Sequence, residues 1–457
     1  MPLPGEKYVP RPGDFAKEPT MQETFYSADH VYRQHRFSLP LDHTNPSAGE
    51  VTVFAREVVS KSQRDNSDLP WLVYLQGGPG FASPRPSSHS GWLKRALEDY
   101  RVLLLDQRGT GLSTIISHQT LATMTPKAQA DYLTHFRADS IVRDLEEIRV
   151  KLGVEKWSIL GQSFGGFCAL TYLSFYPESL NAAFITGGIP SISRPAEDVY
   201  QATYRQLIEK QRAFFNEFPA AQEMCARIAD HLLTHETYLP NGQIFTVEQF
   251  QLIGINLGRS EGGRALYYLI EDAFVTTNGQ ETLSYSFLNT MLDQQSYLTN
   301  PIYAILHESI YCQQQASDWA AHRVRRDFPQ CNYKSDGDFW FTGEMVYPWM
   351  FEQLETLKPL KEAANLLAEK QDWSALYDEV TLTQNQVPVA AAVYVEDMYV
   401  EFDFSRETLS SMPNAKAWMT NEYEHNGLGA DGEKILDRLI TMTETIRDVQ
   451  TLNTESS

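Results

Sequence analysis

The first 190 residues contain four short apolar runs, each ending close to a glycine. Continuous runs of this length are typical of strands buried on both faces of a sheet. Helical patterns at 140–152 and 164–175 lie next to the later runs, and alternation of strands with helices indicates a mostly parallel α/β sheet. The four predicted strands are residues 71–75, 101–106, 157–160 and 182–186.

Further strands are predicted on either side of these runs. Residues 35–41 and 51–59 are expected to form an antiparallel start to the sheet. Strand patterns return at 387–395 and 415–420, and a helix at 432–449 closes the chain. Both ends of the sequence are therefore predicted to contribute to one sheet.

The pattern changes between about residues 193 and 370, where long aromatic segments with helical period replace the short runs. No buried-strand pattern interrupts them, so we expect a large helical cap inserted into the core. The predicted domains are a first part of the core (1–190), a cap (191–375) and a second part of the core (376–457). The predicted helices of the cap are 197–218, 247–257, 263–274 and 303–321.

The segment Gly-Gln-Ser-Phe-Gly-Gly around Ser163 carries the clearest chemistry. It fits Gly-x-Ser-x-Gly between a predicted strand and a predicted helix, which is the setting of the nucleophile elbow in the α/β-hydrolase fold. The helix start favours developing negative charge, and the Phe164 amide is placed to donate into an oxyanion hole. We therefore predict an α/β-hydrolase fold with Ser163 as the nucleophile.

A second oxyanion donor is predicted in the Gly-Gly-Pro-Gly loop at 77–80, directly after a strand. Glycines let backbone amides face a site without a side chain in the way, and Gly78 is our candidate. Asp106 and Arg108 end the next strand. We interpret them as a pair that braces its loop.

A catalytic serine needs a base and an acid that orients the base, which follow it in this fold in the order acid, then histidine. His425 is the one histidine of eleven beyond residue 322, in a polar loop after a predicted strand. Asp397 ends the preceding strand, with Glu396 and Asp403 as competitors. The sequence predicts a triad of Ser163, Asp397 and His425.

His231 and His235 lie four residues apart on a predicted helix, which is a spacing used by metal ligands. The segment lacks the glutamate of the zinc-protease pattern and a clear third ligand. We interpret the two histidines as a solvated helix face. Neither a metal nor an organic cofactor is predicted.

Composition and charge restrict the classes of binding partner and the cellular location that we expect. A net charge of −21 over 457 residues argues against nucleic-acid binding, and no apolar run is long enough to span a membrane. Residues 1–13 are polar and contain no stretch resembling a signal peptide. The four cysteines show no disulfide or metal spacing. We predict a cytoplasmic protein with reduced, buried thiols.

Taken together, these motifs resemble the proline iminopeptidase family of α/β-hydrolase serine peptidases, in its longer type with an enlarged cap. The resemblance rests on Gly-Gly-Pro-Gly at 77–80, Asp-Gln-Arg-Gly-Thr-Gly at 106–111, the segment around Ser163 and the Asp397/His425 ending. It covers about residues 30–190 and 385–445. One departure is Gln76, where the family usually has a histidine.

The resemblance implies an aminopeptidase that releases an N-terminal residue, typically proline, from short peptides or aminoacyl amides. The family recognises the free α-amine with glutamates of the cap, and a carboxylate in a closed pocket binds a cationic amine strongly. The candidates are Glu308 first, then Glu344, with Glu271 as a third. Cap aromatics, including Tyr303 and Tyr311, are candidates for the walls of a proline pocket.

Two other functions remain open on the sequence. A carboxylesterase or lactonase would use the same triad without an amine-binding glutamate. A binding protein on a hydrolase scaffold would not react at Ser163 at all. The sequence leaves open the oligomeric state.

Overall fold

The computed structural model describes residues 24–27, 29–88, 90–335 and 337–455, with the side chains of 453–455 excepted. The predicted N-terminal arm at 1–13 lies outside the described residues. In the described part of the chain, no helix is both long enough and apolar enough to cross a membrane. All four cysteines are buried and unpaired, as the sequence predicts.

Among the residues that the structure describes, nine strands form one central sheet, in the order β1-β2-β3-β5-β4-β6-β7-β10-β11. The first three strands pair antiparallel, β3 also pairs antiparallel with β5, and all remaining neighbours are parallel. A separate two-stranded hairpin comprises β8 and β9. The strands are β1 (Thr24–Tyr26), β2 (His30–Pro40), β3 (Glu50–Ser60), β4 (Trp71–Leu75), β5 (Arg101–Asp106), β6 (Trp157–Gln162), β7 (Leu180–Thr186), β8 (Phe274–Thr277), β9 (Gln280–Leu283), β10 (Val389–Tyr394) and β11 (Ala415–Thr420).

Helices flank the sheet and make up most of the regular structure between β7 and β10. Short 3-10 helices also occur, of which those at Leu252–Gly258 and Glu308–Tyr311 concern the site. The α-helices are α1 (Gly91–Asp99), α2 (Pro126–Leu133), α3 (Ala138–Lys151), α4 (Phe164–Phe175), α5 (Ala196–Glu217), α6 (Ala220–Thr234), α7 (Val247–Gln251), α8 (Gly262–Glu271), α9 (Tyr285–Asp293), α10 (Ile302–Ile305), α11 (Ala320–Val324), α12 (Met350–Gln353), α13 (Lys361–Ala368), α14 (Glu379–Thr383), α15 (Phe402–Ser410), α16 (Gly427–Ala430) and α17 (Gly432–Glu455).

The central strands are mainly apolar because helices cover both faces of the sheet. In β4, Leu72 and Tyr74 pack with residues of α1 and α17. Val73 and Leu75 belong to the larger cluster on the other face, which includes α3 and α4. Successive side chains of a strand point to opposite faces. An uninterrupted apolar run is therefore the pattern of such a strand, and the predicted parallel sheet is confirmed.

Two predicted helices of the segment between β7 and β10 are wrong in part. The helix predicted at 263–274 ends at Glu271, and Phe274 begins β8. Asn278 and Gly279 connect β8 to β9 with φ values of 53° and 77°, as a two-residue hairpin turn requires. This Asn-Gly signal was present in the sequence and contradicts the expectation of a purely helical segment.

The helix predicted at 303–321 is also wrong, since the chain forms α10, a 3-10 helix and α11 there instead. Gln314, Asp318 and Trp319 have φ values of 51°, 47° and 55°. A right-handed helix cannot pass through residues in this conformation. The division of the chain into domains at residues 190 and 375 stays a prediction.

Candidate active site

Ser163 lies in a sharp turn between β6 and α4. Its angles of φ 54° and ψ −125° are rare for a residue with a side chain. The Ser163 N–H donates to the Thr186 carbonyl at 3.0 Å, and the Ser163 carbonyl accepts from the Gly166 N–H at 2.7 Å. Neighbouring strand and helix thus hold the strained turn, which places a partly exposed serine at the carboxyl end of the sheet.

The glycines after Ser163 are required by close packing of the backbone. A methyl group on Gly165 would lie 1.9 Å from the Leu75 carbonyl oxygen, and one on Gly166 would lie 2.2 Å from the Gly188 carbonyl oxygen. Both distances are well inside van der Waals contact. The elbow therefore packs directly against the ends of β4 and β7, and no larger residue fits.

Asp397 and His425 are joined by a hydrogen bond of 2.7 Å between Oδ2 and Nδ1. The other carboxylate oxygen of Asp397 accepts from the backbone N–H groups of Tyr399 (2.8 Å) and Val400 (3.0 Å). The Asp397 side chain is 1% exposed and that of His425 is 12% exposed. The carboxylate is thus fixed on both oxygens and orients the imidazole through one ring nitrogen.

The two competing acids lie away from His425. Glu396 is exposed and forms an ion pair with Lys210 at 3.0 Å. Asp403 is exposed and pairs with Arg406 at 2.9 Å. Among the three acidic candidates, Asp397 is the one that the structure brings to the histidine.

The surroundings of His425 raise its pKa. Burial acts to lower this pKa, but the charge and hydrogen bond of Asp397 outweigh burial, and the charge of Glu344 adds to the increase. The charge of Arg259 opposes it. Carboxylates therefore dominate the field at the imidazole, which stabilises the imidazolium that a general base becomes.

Gly187 and Gly188 bring the serine and the histidine to the same end of β7. A methyl group on Gly188 would lie 2.4 Å from the Ser163 carbonyl oxygen, and one on Gly187 would lie 3.1 Å from Nδ1 of His425. The sequence marked these glycines only as the end of a strand. They also leave room for Ser163 and His425, and this second role depends on which loops meet at the end of β7.

The glycine loop after β4 lies on the other side of Ser163. A methyl group on Gly77 would be 2.9 Å from Cβ of Ser163. Gly78 follows with φ 129°, a conformation that favours glycine. Phe164 is the first residue of α4, where backbone N–H groups have no partner within the helix. Phe164 directly follows the serine and Gly78 follows the glycine that packs against it, and the oxyanion roles of both stay predictions.

The loop after β5 is braced, but Asp106 and Arg108 bond to other residues rather than to each other. Asp106 accepts from the backbone N–H groups of Ser83 and Leu112 and pairs with Arg85. Arg108 is buried against Asp144. The interpretation of both residues as structural support is confirmed, and each side chain holds a different neighbouring segment.

Gln76 stands next to this loop. Its side-chain oxygen accepts from the Tyr74 hydroxyl at 2.9 Å, and its backbone carbonyl accepts from the Gln107 side chain at 3.1 Å. Gln76 therefore links the loops after β4 and β5. Because the contact with Gln107 uses the backbone carbonyl, it does not depend on which side chain stands at position 76.

A family model described as the alpha/beta hydrolase fold matches residues 70–272. Over 410 residues the chain is 58% identical to a proline iminopeptidase from Aeromonas sobria, covering 89% of this chain and 95% of that relative. The chain belongs to the proline iminopeptidase family. A proline iminopeptidase from Aspergillus aculeatus is 36% identical over 90% of this chain and 93% of its own length.

Among solved structures, a proline iminopeptidase from Mycobacterium smegmatis matches 90% of this chain and 98% of its own, with 14% identity and a TM-score of 0.43. The predicted α/β-hydrolase fold and the family resemblance are confirmed by the sequence relatives and the family model.

Glu344 of this proline iminopeptidase family member lies in a group of aromatic side chains beside the triad residues. The Tyr303 hydroxyl donates to its carboxylate. Tyr303 also packs edge-on against Phe81, at 4.9 Å between ring centroids, in the segment that follows the glycine loop. The charge of Glu344 also acts to raise the pKa of His425.

Glu308 is buried, and its two oxygens accept from the backbone N–H groups of Ala320 (3.1 Å) and Ala321 (2.9 Å). Burial raises its pKa. The charges of Glu308 and Glu344 both act, after burial itself, to raise the pKa values of Tyr200 and Tyr311. Both charges therefore act on the same two tyrosines, although Glu308 already holds the start of α11.

Glu271, the third candidate, lies elsewhere in the family member. It is exposed at the end of α8, where the Tyr267 hydroxyl donates to it at 3.3 Å. The structure brings it to neither carboxylate nor to the histidine. Its exposure removes the desolvation that strengthens amine binding.

Tyr399 is a site residue that the sequence did not indicate. Its ring packs edge-on against the His425 imidazole at 4.6 Å between centroids, and its hydroxyl donates to the Ile255 carbonyl. The available signal was position, two residues after the predicted acid. An aromatic residue there closes one side of the imidazole and links it to the 3-10 helix at Leu252–Gly258.

Proposed function

We propose that this chain is a serine aminopeptidase that releases an N-terminal residue, preferentially proline, from short peptides and aminoacyl amides. The observation that carries the proposal is the Asp397–His425 hydrogen bond beside the Ser163 elbow, with Glu344 close enough to act on the same histidine. The triad can perform acyl transfer. A carboxylate beside it can select a cationic amine.

In the first step, His425 takes the proton from the Ser163 hydroxyl through Nε2 while Asp397 holds Nδ1. Oγ attacks the carbonyl carbon of the N-terminal residue. The backbone N–H groups of Phe164 and Gly78 stabilise the oxyanion. This assignment is supported by the fixed Asp397 carboxylate and by the serine at the start of a helix.

In the second step, His425 gives its proton to the leaving amine, and the C–N bond breaks. Water then attacks the acyl-enzyme with His425 again as base, which releases the free amino acid and restores Ser163. The chemistry requires no metal and no organic cofactor.

Glu344 and Glu308 are proposed to bind the ammonium group of the free N-terminus, which is a secondary ammonium when that residue is proline. Two carboxylates among buried tyrosines give a negative site of low dielectric constant, where a charge-assisted hydrogen bond is strong. Glu308 is constrained by the amides of α11, so we assign the larger share of recognition to Glu344. The aromatic rings around both carboxylates offer a surface for a proline ring.

We also propose a cytoplasmic location. Four buried, unpaired cysteines suit a reducing compartment. The proposed partners are peptides with a free N-terminus.

A rate comparison on one purified sample tests the proposal. The substrates are the 4-nitroanilides of proline, alanine, leucine and N-acetyl-proline, together with 4-nitrophenyl acetate. We expect fast release from proline and none from the acetylated substrate. Equal rates with the blocked amine, or turnover of the ester alone, would indicate a carboxylesterase or lactonase and refute the aminopeptidase.

A further inference from the structure

Lys210 joins α5 to both loops that carry the acid and the base of the proposed triad. Its Nζ lies 3.0 Å from Oε2 of Glu396 and 2.6 Å from Oε1 of Glu424. These carboxylates are 186 and 214 residues away along the chain. One ammonium group therefore connects three distant segments.

Each partner of Lys210 directly precedes a residue of the triad, since Glu396 is followed by Asp397 and Glu424 by His425. Gln206, one turn earlier on α5, donates to the Glu396 carbonyl at 3.2 Å. The two loops are thus linked twice: directly through the triad hydrogen bond, and through Lys210.

Lys210 differs from a lysine in an ordinary surface ion pair because its side chain is buried. Its side chain is only 9% exposed, whereas exposed pairs contribute little to stability. Within the described residues, Oε2 of Glu424 is buried without a hydrogen-bond partner. Removal of the ammonium would leave Glu424 partly buried and uncompensated, which forces the carboxylate to move toward water or to take up a proton.

We propose that Lys210 is a positioning residue, which holds the loops of Asp397 and His425 in register with each other and with α5. The inference rests on the proposed function, because it assigns Lys210 a role in the same triad. Lys210 touches neither the substrate nor the reacting atoms. It acts by limiting the movement of the imidazole relative to Ser163.

The expected effect is a loss of rate with little loss of binding. A small misplacement of a catalytic group costs rate steeply, so we expect Lys210→Met to lower kcat by roughly 10- to 100-fold with KM little changed. Lys210→Arg keeps the charge and reach and should restore most of the rate. Lys94→Met is the matched control, since Lys94 forms an exposed ion pair with Glu433 at 2.9 Å, away from the site.

The test measures three quantities on the full chain: the rate of Ser163 labelling by a fluorophosphonate, kcat and KM on proline 4-nitroanilide, and the melting temperature. We expect slower labelling by the same factor as kcat in Lys210→Met and no change in Lys94→Met. The low-field proton resonance of His425 Nδ1–H should broaden or shift in Lys210→Met, because it reports the bond to Asp397.

A double-mutant cycle with Glu424→Gln covers the possibility that Lys210→Met folds poorly. If the ion pair positions His425, the double variant should be no slower than Lys210→Met alone. Additive effects, or unchanged labelling in a folded Lys210→Met protein, would overturn the inference and leave the proposed function standing. Absence of fluorophosphonate labelling at Ser163 in the native chain would refute the proposed function itself.

Discussion

Buried backbone polar groups find their hydrogen-bond partners in different ways in the sheet core and in the segment between β7 and β10. In the core, strand pairing satisfies these groups, so the strands can be apolar throughout. In the segment between β7 and β10, the helices that follow α5 and α6 are short and interrupted, and buried glutamine side chains make hydrogen bonds that a strand ladder would otherwise supply. Gln251 donates to the Cys331 and Trp340 carbonyls, and Gln211 bonds both backbone groups of Phe341.

In the proposed site, this difference corresponds to a division between bond breaking and substrate recognition. Ser163, Asp397 and His425 all follow sheet strands, whose paired ends place them with little freedom. Glu308 and Glu344 come from the irregular segment, where contacts such as those with Ala321 and Tyr303 hold their carboxylates. A rigid sheet edge suits bond breaking, and a separate irregular segment can vary recognition without disturbing it. Substitutions in the sheet core should therefore reduce the rate of bond breaking, whereas substitutions in the irregular segment should change substrate recognition.

The largest expected effect lies in the core. Ser163→Ala should lower kcat by about 10⁴- to 10⁶-fold, because no nucleophile remains for the acyl-enzyme route. The melting temperature should be close to that of the native chain, since the backbone of the elbow is unchanged. Steady-state assays and thermal denaturation measure both. Retained activity in the variant would show that another residue is the nucleophile.

Asp397→Asn should give the next largest loss, about 10³- to 10⁴-fold in kcat, because an amide leaves His425 without its orienting carboxylate. The matched control is Asp403→Asn, an exposed acid paired with Arg406, which should retain native rates. Equal losses in the two variants would remove Asp397 from the triad.

In the irregular segment, Glu344→Gln should act on substrate choice rather than on bond breaking. We expect kcat/KM for proline 4-nitroanilide to fall roughly 10- to 100-fold, the value of one lost charge-assisted hydrogen bond. Hydrolysis of 4-nitrophenyl acetate should change little, because the ester has no amine. Glu271→Gln is the exposed control. A parallel loss on both substrates would mean that Glu344 serves the triad instead of the amine.

The smallest expected effect is a shift in pH dependence. His425 must be neutral to act as a base, and its pKa is raised, mainly because Asp397 outweighs burial. Activity should therefore fall as the pH drops through the pKa of His425, which lies above the pKa of an ordinary histidine. Glu344→Gln removes one raising charge while Asp397 and Arg259 remain, so the acidic limb should move to lower pH.

The pH profile of kcat/KM on 4-nitrophenyl acetate measures this shift without titration of the substrate. Glu271→Gln again provides the control and should leave the limb in place. A limb that stays fixed in Glu344→Gln would place Glu344 too far from the imidazole to share a pocket with it.

Most of the core was predictable because its signals are local. The strands at 71–75, 101–106 and 415–420 and the helix at 164–175 were predicted with the bounds that the structure has. An apolar run that ends at a glycine indicates a strand buried on both faces, and this pattern is visible in the residues of the run alone. The irregular segment was predicted less well. Positive φ residues such as Gln314 and Trp319 interrupt its helical pattern before α11, and a hydrophobic period does not detect them.

The sequence by itself determined the fold class, the elbow at Ser163 and the order of acid and base, because each follows from a short motif and its neighbours along the chain. Tertiary structure decided which of Glu396, Asp397 and Asp403 meets His425. It also decided that Glu308 caps α11 and that Lys210 reaches both catalytic loops. These are contacts between residues far apart in the chain, set by how strand ends and broken helices pack, and no local pattern encodes such distances.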